Sequence, residues 1–303
     1  MRHRIGTDRH RRHGLRGRVR AQPAQHFEPV DDRHLDVDQQ QGRRVGQCQV
    51  HAPLRLALGL QHQAWQHTGS QSLAINAAPA IRINQLQISG EFGRQRLAPI
   101  SLYIGAGERI ALQGPSGCGK SSLLHALLGF THYSGDIFIE QQLLSDITLQ
   151  QWQQQLGYMA QQSSFIAASI ADNLRLAAPA ATDEQLTRVL QQVELWPVIS
   201  RLPNGINTML GERGLGLSGG QLQRLALAQL LLRDANIWLL DEPSAHLDGA
   251  TAYRLHQLIG QLSVGKTVLL VSHQLHGLDW LDQVIRLPDG VSSLPREAMH
   301  ERA

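Results

Sequence analysis

Residues Gly114-Pro115-Ser116-Gly117-Cys118-Gly119-Lys120-Ser121 read as a glycine, four residues, then Gly-Lys-Ser, which is the pattern of a phosphate-binding loop. Arg109-Ile-Ala-Leu-Gln113 ahead of it has the character of a buried strand, and Lys120 to Leu128 behind it has the spacing of an amphipathic helix. Glycines between a strand and a helix let backbone N–H groups approach phosphate oxygens with no Cβ in the way. The helix turns its N-terminal partial positive charge toward the same anion. Lys120 is placed to reach the β- and γ-phosphates of a nucleoside triphosphate and Ser121 to offer its hydroxyl to Mg²⁺, with Ser122 next along the helix. Alone, this loop specifies a nucleotide and no reaction.

Further along, Leu156-Gly-Tyr-Met159, Ile237-Trp-Leu-Leu240 and Thr267-Val-Leu-Leu-Val271 are short apolar runs that suit buried parallel strands. Each is followed by polar residues: Gln161, then Asp241-Glu242, then Ser272-His273. Ligands of open parallel sheets gather at the carboxyl ends of the strands, so Asp241 and Glu242 are expected beside the phosphate loop. Asp241 can hold Mg²⁺ through water. Leu217-Ser218-Gly219-Gly220-Gln221 opens a predicted helix running to about Arg233. Its amides and the Ser218 hydroxyl make a second phosphate cradle by the same dipole argument, and one chain cannot easily fold that cradle onto its own loop.

Taken in this order, the segments resemble the ATP-binding domain of ABC transporters. The resemblance implies an α/β P-loop NTPase of ABC ATPase type, a three-layer core with an antiparallel β subdomain from about Ile81 to Ile104 and a helical subdomain over roughly Thr148 to Leu217. It implies ATP and Mg²⁺ as ligands. Glu242 resembles the general base that polarises the attacking water, and Gln161 the Q-loop glutamine that touches Mg²⁺ or water. His273 resembles the switch histidine that donates to the γ-phosphate. Phe92 lies near the place of the aromatic that stacks on adenine, with simple loop packing as the other reading. In the family, the Ser218–Gln221 surface of one domain closes on ATP held by another, and Asp248 resembles the aspartate that crosses this interface. A second ABC ATPase domain, identical or different, is therefore an implied partner.

Gly211-Glu-Arg-Gly214, with Gly205 and Thr208 before it, is similar to a loop of exporters whose membrane and ATPase domains share one polypeptide. Ser122-Leu-Leu-His-Ala-Leu-Leu-Gly-Phe130, Ala168-Ser-Ile-Ala-Asp-Asn-Leu174 and Ser272-His-Gln-Leu275 with Asp279-Trp280 are similar to the CydD branch, one half of a heterodimeric cysteine/glutathione exporter. This implies a CydC-like partner and a place on the cytoplasmic face of the inner membrane. The alternatives are a soluble ABC ATPase of translation or DNA repair and a truncated nucleotide-binding remnant. Neither a second phosphate loop nor a long heptad run favours the soluble reading.

The 303 residues divide unevenly. Residues 1–78 are rich in Arg, His and Gln, with eight arginines in the first twenty positions and no sustained apolar period. An arginine-rich arm can bind nucleic acid or direct a chain to an organelle. The residues that follow it cannot bury enough apolar surface to offset their ordering entropy, so a disordered or non-native leader is expected, with no specific nucleic acid as partner. Residues 79–292 are expected to form the ATP-binding domain and 293–303 a flexible tail. The two cysteines, Cys48 and Cys118, are not in a metal-type pair, and Cys118 falls inside the phosphate loop, which argues against a disulfide framework. No run reaches about eighteen apolar residues, the length a membrane helix needs. CydD-like subunits carry six membrane helices, so a truncated gene product or a separated ATPase domain is expected.

Overall fold

A computed structural model describes residues 69–73, 77–89, 95–211 and 216–287, together with the backbone of 293–295. The expected leader up to residue 68, Phe92, Glu212 to Gly214 of the exporter-type loop, and residues 296–303 of the expected tail lie outside the described residues.

Among the described residues the first two strands, β1 (Ile81–Ser89) and β2 (Gln95–Ile104), pair antiparallel. Ile81, Ile83, Leu86 and Ile88 of β1 all face the core. Strict alternation would point Leu86 outward, but Gln85 adopts φ 48 and makes a bulge that resets the register. The Ser101 hydroxyl accepts from the Gln85 backbone N–H at 3.0 Å and supports the kink. Next come β3 (Arg109–Gln113), α1 (Lys120–Leu127), β4 (Ser134–Ile139) and β5 (Gln142–Leu143). β4 returns to pair antiparallel with β1, giving a four-stranded sheet of order β2-β1-β4-β5. The antiparallel subdomain is therefore larger than the expected span of Ile81 to Ile104. Its second half is separated from the first by the phosphate loop and α1.

α2 (Leu149–Gln154) is followed by β6 (Leu156–Met159), α3 (Ile170–Arg175), α4 (Asp183–Gln192), α5 (Trp196–Ile199), α6 (Gly219–Leu232), β7 (Ile237–Asp241), α7 (Gly249–Leu262), β8 (Thr267–Val271), β9 (Gln283–Arg286) and β10 (Ser293–Pro295). The second sheet has the order β10-β9-β3-β8-β7-β6, parallel throughout except for β10. α6 spans the helix expected from Ser218 to about Arg233, with those two residues as its caps.

Both faces of the parallel sheet are covered. Ile110, Leu112, Leu239 and Val271 point into a core shared with α1 and the antiparallel sheet. Ala111, Leu240, Val268 and Leu270 point into a second core with α4, α6 and α7. Full burial of one such side chain contributes about 1.5–3 kcal/mol, so the two cores lock the central strands from either side. α2 belongs with the first core rather than with the helical subdomain. Its Trp152 is fully buried and donates its indole N–H to the Leu127 carbonyl at 2.5 Å, while Gln153 donates to the Leu128 carbonyl at 3.0 Å. These bonds satisfy carbonyls at the end of α1 that have no intrahelical partner. The helical insertion accordingly begins after β6, not at Thr148.

Residues 69–73 pack with these elements, ahead of the expected domain start at 79. Gln71 donates its backbone N–H to the Asp146 carbonyl at 3.0 Å, and Leu73 packs on the first core.

Candidate nucleotide site

Parallel strands aim their carboxyl ends at one edge of the sheet, and the polar residues of interest all leave from that edge. β3 runs into the loop Gly114–Lys120, β6 leads to Gln161, β7 ends in Asp241 followed by Glu242, and β8 is followed by Ser272-His273. β8 lies between β3 and β7, so the order of the sheet, rather than sequence distance, brings the groups together.

Within the loop, Pro115, Ser116 and Gly117 are exposed, whereas Gly119 and Lys120 are buried. Gly119 has φ 102, and a Cβ there would run into the Arg96 carbonyl oxygen and the Leu97 side chain of β2. Gly117 has φ 83, and a Cβ there would meet no atom within 4 Å. One glycine seats the loop on the antiparallel sheet; the other lets backbone face open space. The Lys120 ammonium donates to the Gly114 carbonyl at 2.8 Å and the Pro115 carbonyl at 3.0 Å, so it is held inside the loop's curve. Cys118 Sγ lies 3.9 Å from Lys120 Nζ. Ser122 occupies the third position of α1 and is half-buried.

Ser121 donates its hydroxyl to Asp241 at 3.2 Å. Asp241 is buried, and burial is the main cause that raises its pKa; the Ser121 hydrogen bond and the His125 charge oppose it, and Glu242 adds repulsion. Burial likewise lowers the pKa of His125 on α1, and burial with help from the Asp241 charge raises that of the Tyr158 phenol on β6. A buried carboxylate next to a hydroxyl suits a hard cation. Mg²⁺ takes one or two carboxylates and leaves the rest of its octahedron to phosphate and water. That fits Ser121, Asp241 and Gln161. Among the described residues, no group of three or more His, Cys, Asp or Glu could hold a metal ion without further ligands.

Glu242 is the centre of the second cluster. One carboxylate oxygen accepts from Gln161 Nε2 at 3.0 Å, and the other pairs with His273 Nε2 at 2.8 Å. Three residues spread over more than a hundred positions thus meet at one carboxylate. Glu242 also carries φ 46, a left-handed backbone that a non-glycine residue holds only where its surroundings enforce it. Its N–H donates to the Val271 carbonyl at 2.9 Å, and Ala245 N–H closes a turn on the Glu242 carbonyl at 2.9 Å.

The second cradle is arranged differently from its expected form. The Ser218 hydroxyl accepts from Gln221 N–H at 3.4 Å, and the Gln221 side chain accepts from Ser218 N–H at 2.8 Å, a capping box that engages both side chains within α6. Gly219 and Gly220 keep first-turn amides that make no described hydrogen bond. No described hydrogen bond joins residues 218–221 to the phosphate loop or to Glu242. Asp248 is exposed and caps α7, accepting from Ala250 N–H at 3.1 Å and Thr251 N–H at 3.0 Å. The bonds to Thr251 are the main cause that lowers its pKa.

One supporting residue carried no signal in the sequence. Gln223, buried on α6, accepts from Ser163 at 3.1 Å and donates to the Gln161 carbonyl at 3.4 Å, steadying the Gln161 segment. In a glutamine-rich chain nothing marked it out.

Residues 97–245 match the sequence profile of the family described as ABC transporter. The glutathione/L-cysteine transport system ATP-binding/permease protein CydD of Escherichia coli (strain K12) is 36% identical over 223 residues, which is 73% of this chain and 38% of that protein. CydC of the same system and organism is 38% identical over 201 residues, 66% of this chain and 35% of that protein. A solved structure described as a bacterial Atm1-family ABC exporter with ATP bound aligns with TM-score 0.70 at 27% identity, covering 76% of this chain and 41% of the exporter's. The chain therefore spans little more than a third of the length of these curated relatives, and among the described residues no helix is long and apolar enough to cross a membrane. CydD and CydC match at nearly the same level, so the comparisons reach the exporters as a group rather than either half of that pair. With the loop, the paired carboxylates and the sheet order in place, the chain carries an ABC transporter ATP-binding domain of exporter type.

Proposed function

We propose that this domain binds Mg-ATP at the Gly114–Ser122 loop and hydrolyses it with Glu242 as general base. The carrying observation is the meeting of Gln161 and His273 on the two carboxylate oxygens of Glu242, directly after the buried Asp241. Lys120 and the loop amides would hold the β- and γ-phosphates. Ser121, Asp241 and Gln161 would hold Mg²⁺, which when bound neutralises charge on the phosphate oxygens. Glu242, on releasing its side-chain partners, takes the proton of the attacking water, while His273 turns its Nε2 toward the γ-phosphate.

The free first-turn amides at Gly219 and Gly220 support closure on ATP held by a second ABC ATPase domain, identical or CydC-like, with Asp248 at the shared edge. Such a pair would drive a transmembrane exporter from the cytoplasmic face of the plasma membrane. The similarity to CydD and CydC supports cysteine or glutathione as cargo.

The test is Glu242→Gln. It removes the base and keeps the shape, and general-base loss lowers turnover by about 10²–10⁴-fold. ATP binding should persist and the ATP-bound dimer should accumulate on size-exclusion chromatography. Unchanged hydrolysis by the purified variant refutes the assignment.

A further inference from the structure

We propose that His256, in the middle of α7, is a positioning residue for the hydrolysis reaction: it ties the turn that follows Glu242 to the segment that follows His273, and so sets the distance between those two groups. The inference rests on the hydrolytic role proposed above for Glu242.

His256 is fully buried. Its Nδ1 lies 2.8 Å from the His276 carbonyl oxygen and its Nε2 lies 2.8 Å from the Ser244 hydroxyl. A carbonyl can only accept, so Nδ1 carries the proton. In the neutral ring Nε2 must then accept, and Ser244 donates to it. The ring thus spans the segments that follow the neighbouring strands β7 and β8, beyond the last bond between them, Glu242 N–H to the Val271 carbonyl. Ser244 lies two residues after Glu242, inside the turn closed by Ala245 N–H on the Glu242 carbonyl. His276 lies three residues after His273.

Around this ring the remaining contacts fasten only one of the two segments. Gln257 donates to the Gly277 carbonyl at 3.1 Å, Trp280 donates to the His256 carbonyl at 2.9 Å, and the Tyr253 ring meets His276 at a tilt, with centroids 4.7 Å apart. All three join α7 to residues 276–280. Among the described residues, His256 is the side chain of α7 that hydrogen-bonds to both segments.

The physical need for such an anchor comes from Glu242 itself. Its left-handed backbone is strained and persists only when the surroundings over-determine it. If the turn at 242–245 loses its tie to α7, Glu242 can relax toward ordinary backbone angles and its carboxylate swings away from His273. Misplacement of a reacting group by about 1 Å is enough to lower a rate on the order of 10²-fold. The phosphate loop, built on β3 and α1, does not depend on this tie.

The experiment compares the full-length wild-type chain with His256→Leu and His256→Gln, measuring kcat, ATP affinity and Tm. Leu fills the space and removes both hydrogen bonds; Gln can donate to the carbonyl and accept from the hydroxyl. His256→Leu is expected to lower kcat on the order of 10- to 100-fold while ATP affinity stays within about threefold, with His256→Gln recovering most of the loss. If His256→Leu does not fold, Ser244→Ala removes the tie from its other end and should lower kcat with ATP affinity retained. The inference is overturned if the folded variant turns over at the wild-type rate, if kcat and ATP affinity fall together, or if Gln restores nothing. A wild-type chain whose turnover is unaffected by Glu242→Gln overturns the proposed function, and this inference with it. An active, Glu242-dependent wild type with an equally active His256→Leu overturns the positioning role alone.

Discussion

Gly119→Ala and Gly117→Ala place the same methyl group two residues apart in the phosphate loop, yet they should fail in different ways. At Gly119 the backbone has φ 102, and the new Cβ would run into the Arg96 carbonyl and lie 2.9 Å from Leu97 Cβ. Left-handed backbone costs a non-glycine residue about 1–2 kcal/mol. Overlap with a carbonyl inside β2 cannot be relieved by a rotamer change, and overpacking of that kind adds about 1–3 kcal/mol. The sum is about 2–5 kcal/mol, and a domain of this size loses about 2–4 °C of Tm per kcal/mol, so a fall of roughly 4–20 °C is expected. At Gly117 the φ of 83 leaves the backbone term, but no atom lies within 4 Å of the added methyl. The fall there should be about 2–8 °C. That methyl stands on the exposed crest of the loop, where backbone must approach phosphate closely, so ATP affinity should drop on the order of tenfold or more, about 1.4 kcal/mol. Thermal melts followed by far-UV circular dichroism, with ATP affinity from calorimetric titration, measure both effects. Equal losses of Tm in the two variants would refute the seating of Gly119 on β2.

Asp241→Asn should raise Tm at neutral pH without Mg²⁺ and remove the further rise that Mg²⁺ gives the wild type. Burial, the leading cause, lifts the folded pKa of Asp241 above its ordinary value of 3.8, so its contribution to stability is complete below that value and is lost as pH rises through the folded pKa; a gain from Asn that is as large at pH 3.5 as at pH 7 would contradict this. A chain shortened to begin at Ala78 should melt at least about 4–8 °C below one that begins at Gly69, since each of the two backbone bonds made by Gln71 is worth about 1 kcal/mol and Leu73 packs on the core; equal melting temperatures would show that residues 69–73 do not support the domain. Cys118 should be shielded from maleimide by Mg-ATP, and prior labelling should block ATP, because its thiol sits 3.9 Å from Lys120 Nζ inside the loop. Mass spectrometry reads the labelling, and equal labelling with and without Mg-ATP would place the thiol away from the phosphates.

Much of this domain can be read along the chain because its signals are local. The strand at Arg109–Gln113, the loop with Lys120 and Ser121, the helix begun by Ser218, and the strand ends at Asp241 and Val271 each depend on a few consecutive residues. Apolar runs, glycines and caps announce such elements wherever they finally lie. Ser134–Ile139 announces little: it begins Ser-Gly-Asp and pairs with a strand more than forty residues earlier, so its place in the antiparallel sheet depends on β1 being there to receive it. The same holds for Trp152, whose burial against α1 follows from a helix pairing that no nearby residue encodes.

The chemistry divides along the same line. The residue types expected near a triphosphate were legible in sequence alone: Lys120 and Ser121 open the helix behind the loop, and Gln161, Asp241, Glu242 and His273 stand at or just beyond strand ends. That Gln161 and His273 both bond Glu242 was decided by the sheet order β3-β8-β7-β6, which sets strands distant in sequence side by side. The left-handed backbone of Glu242, the capping box that occupies Ser218 and Gln221, and the double anchor of His256 were likewise decided only in the tertiary structure. Each needs partners brought together from separate elements, and a hydrogen bond a few ångströms long cannot be specified until the packing has fixed where those elements lie.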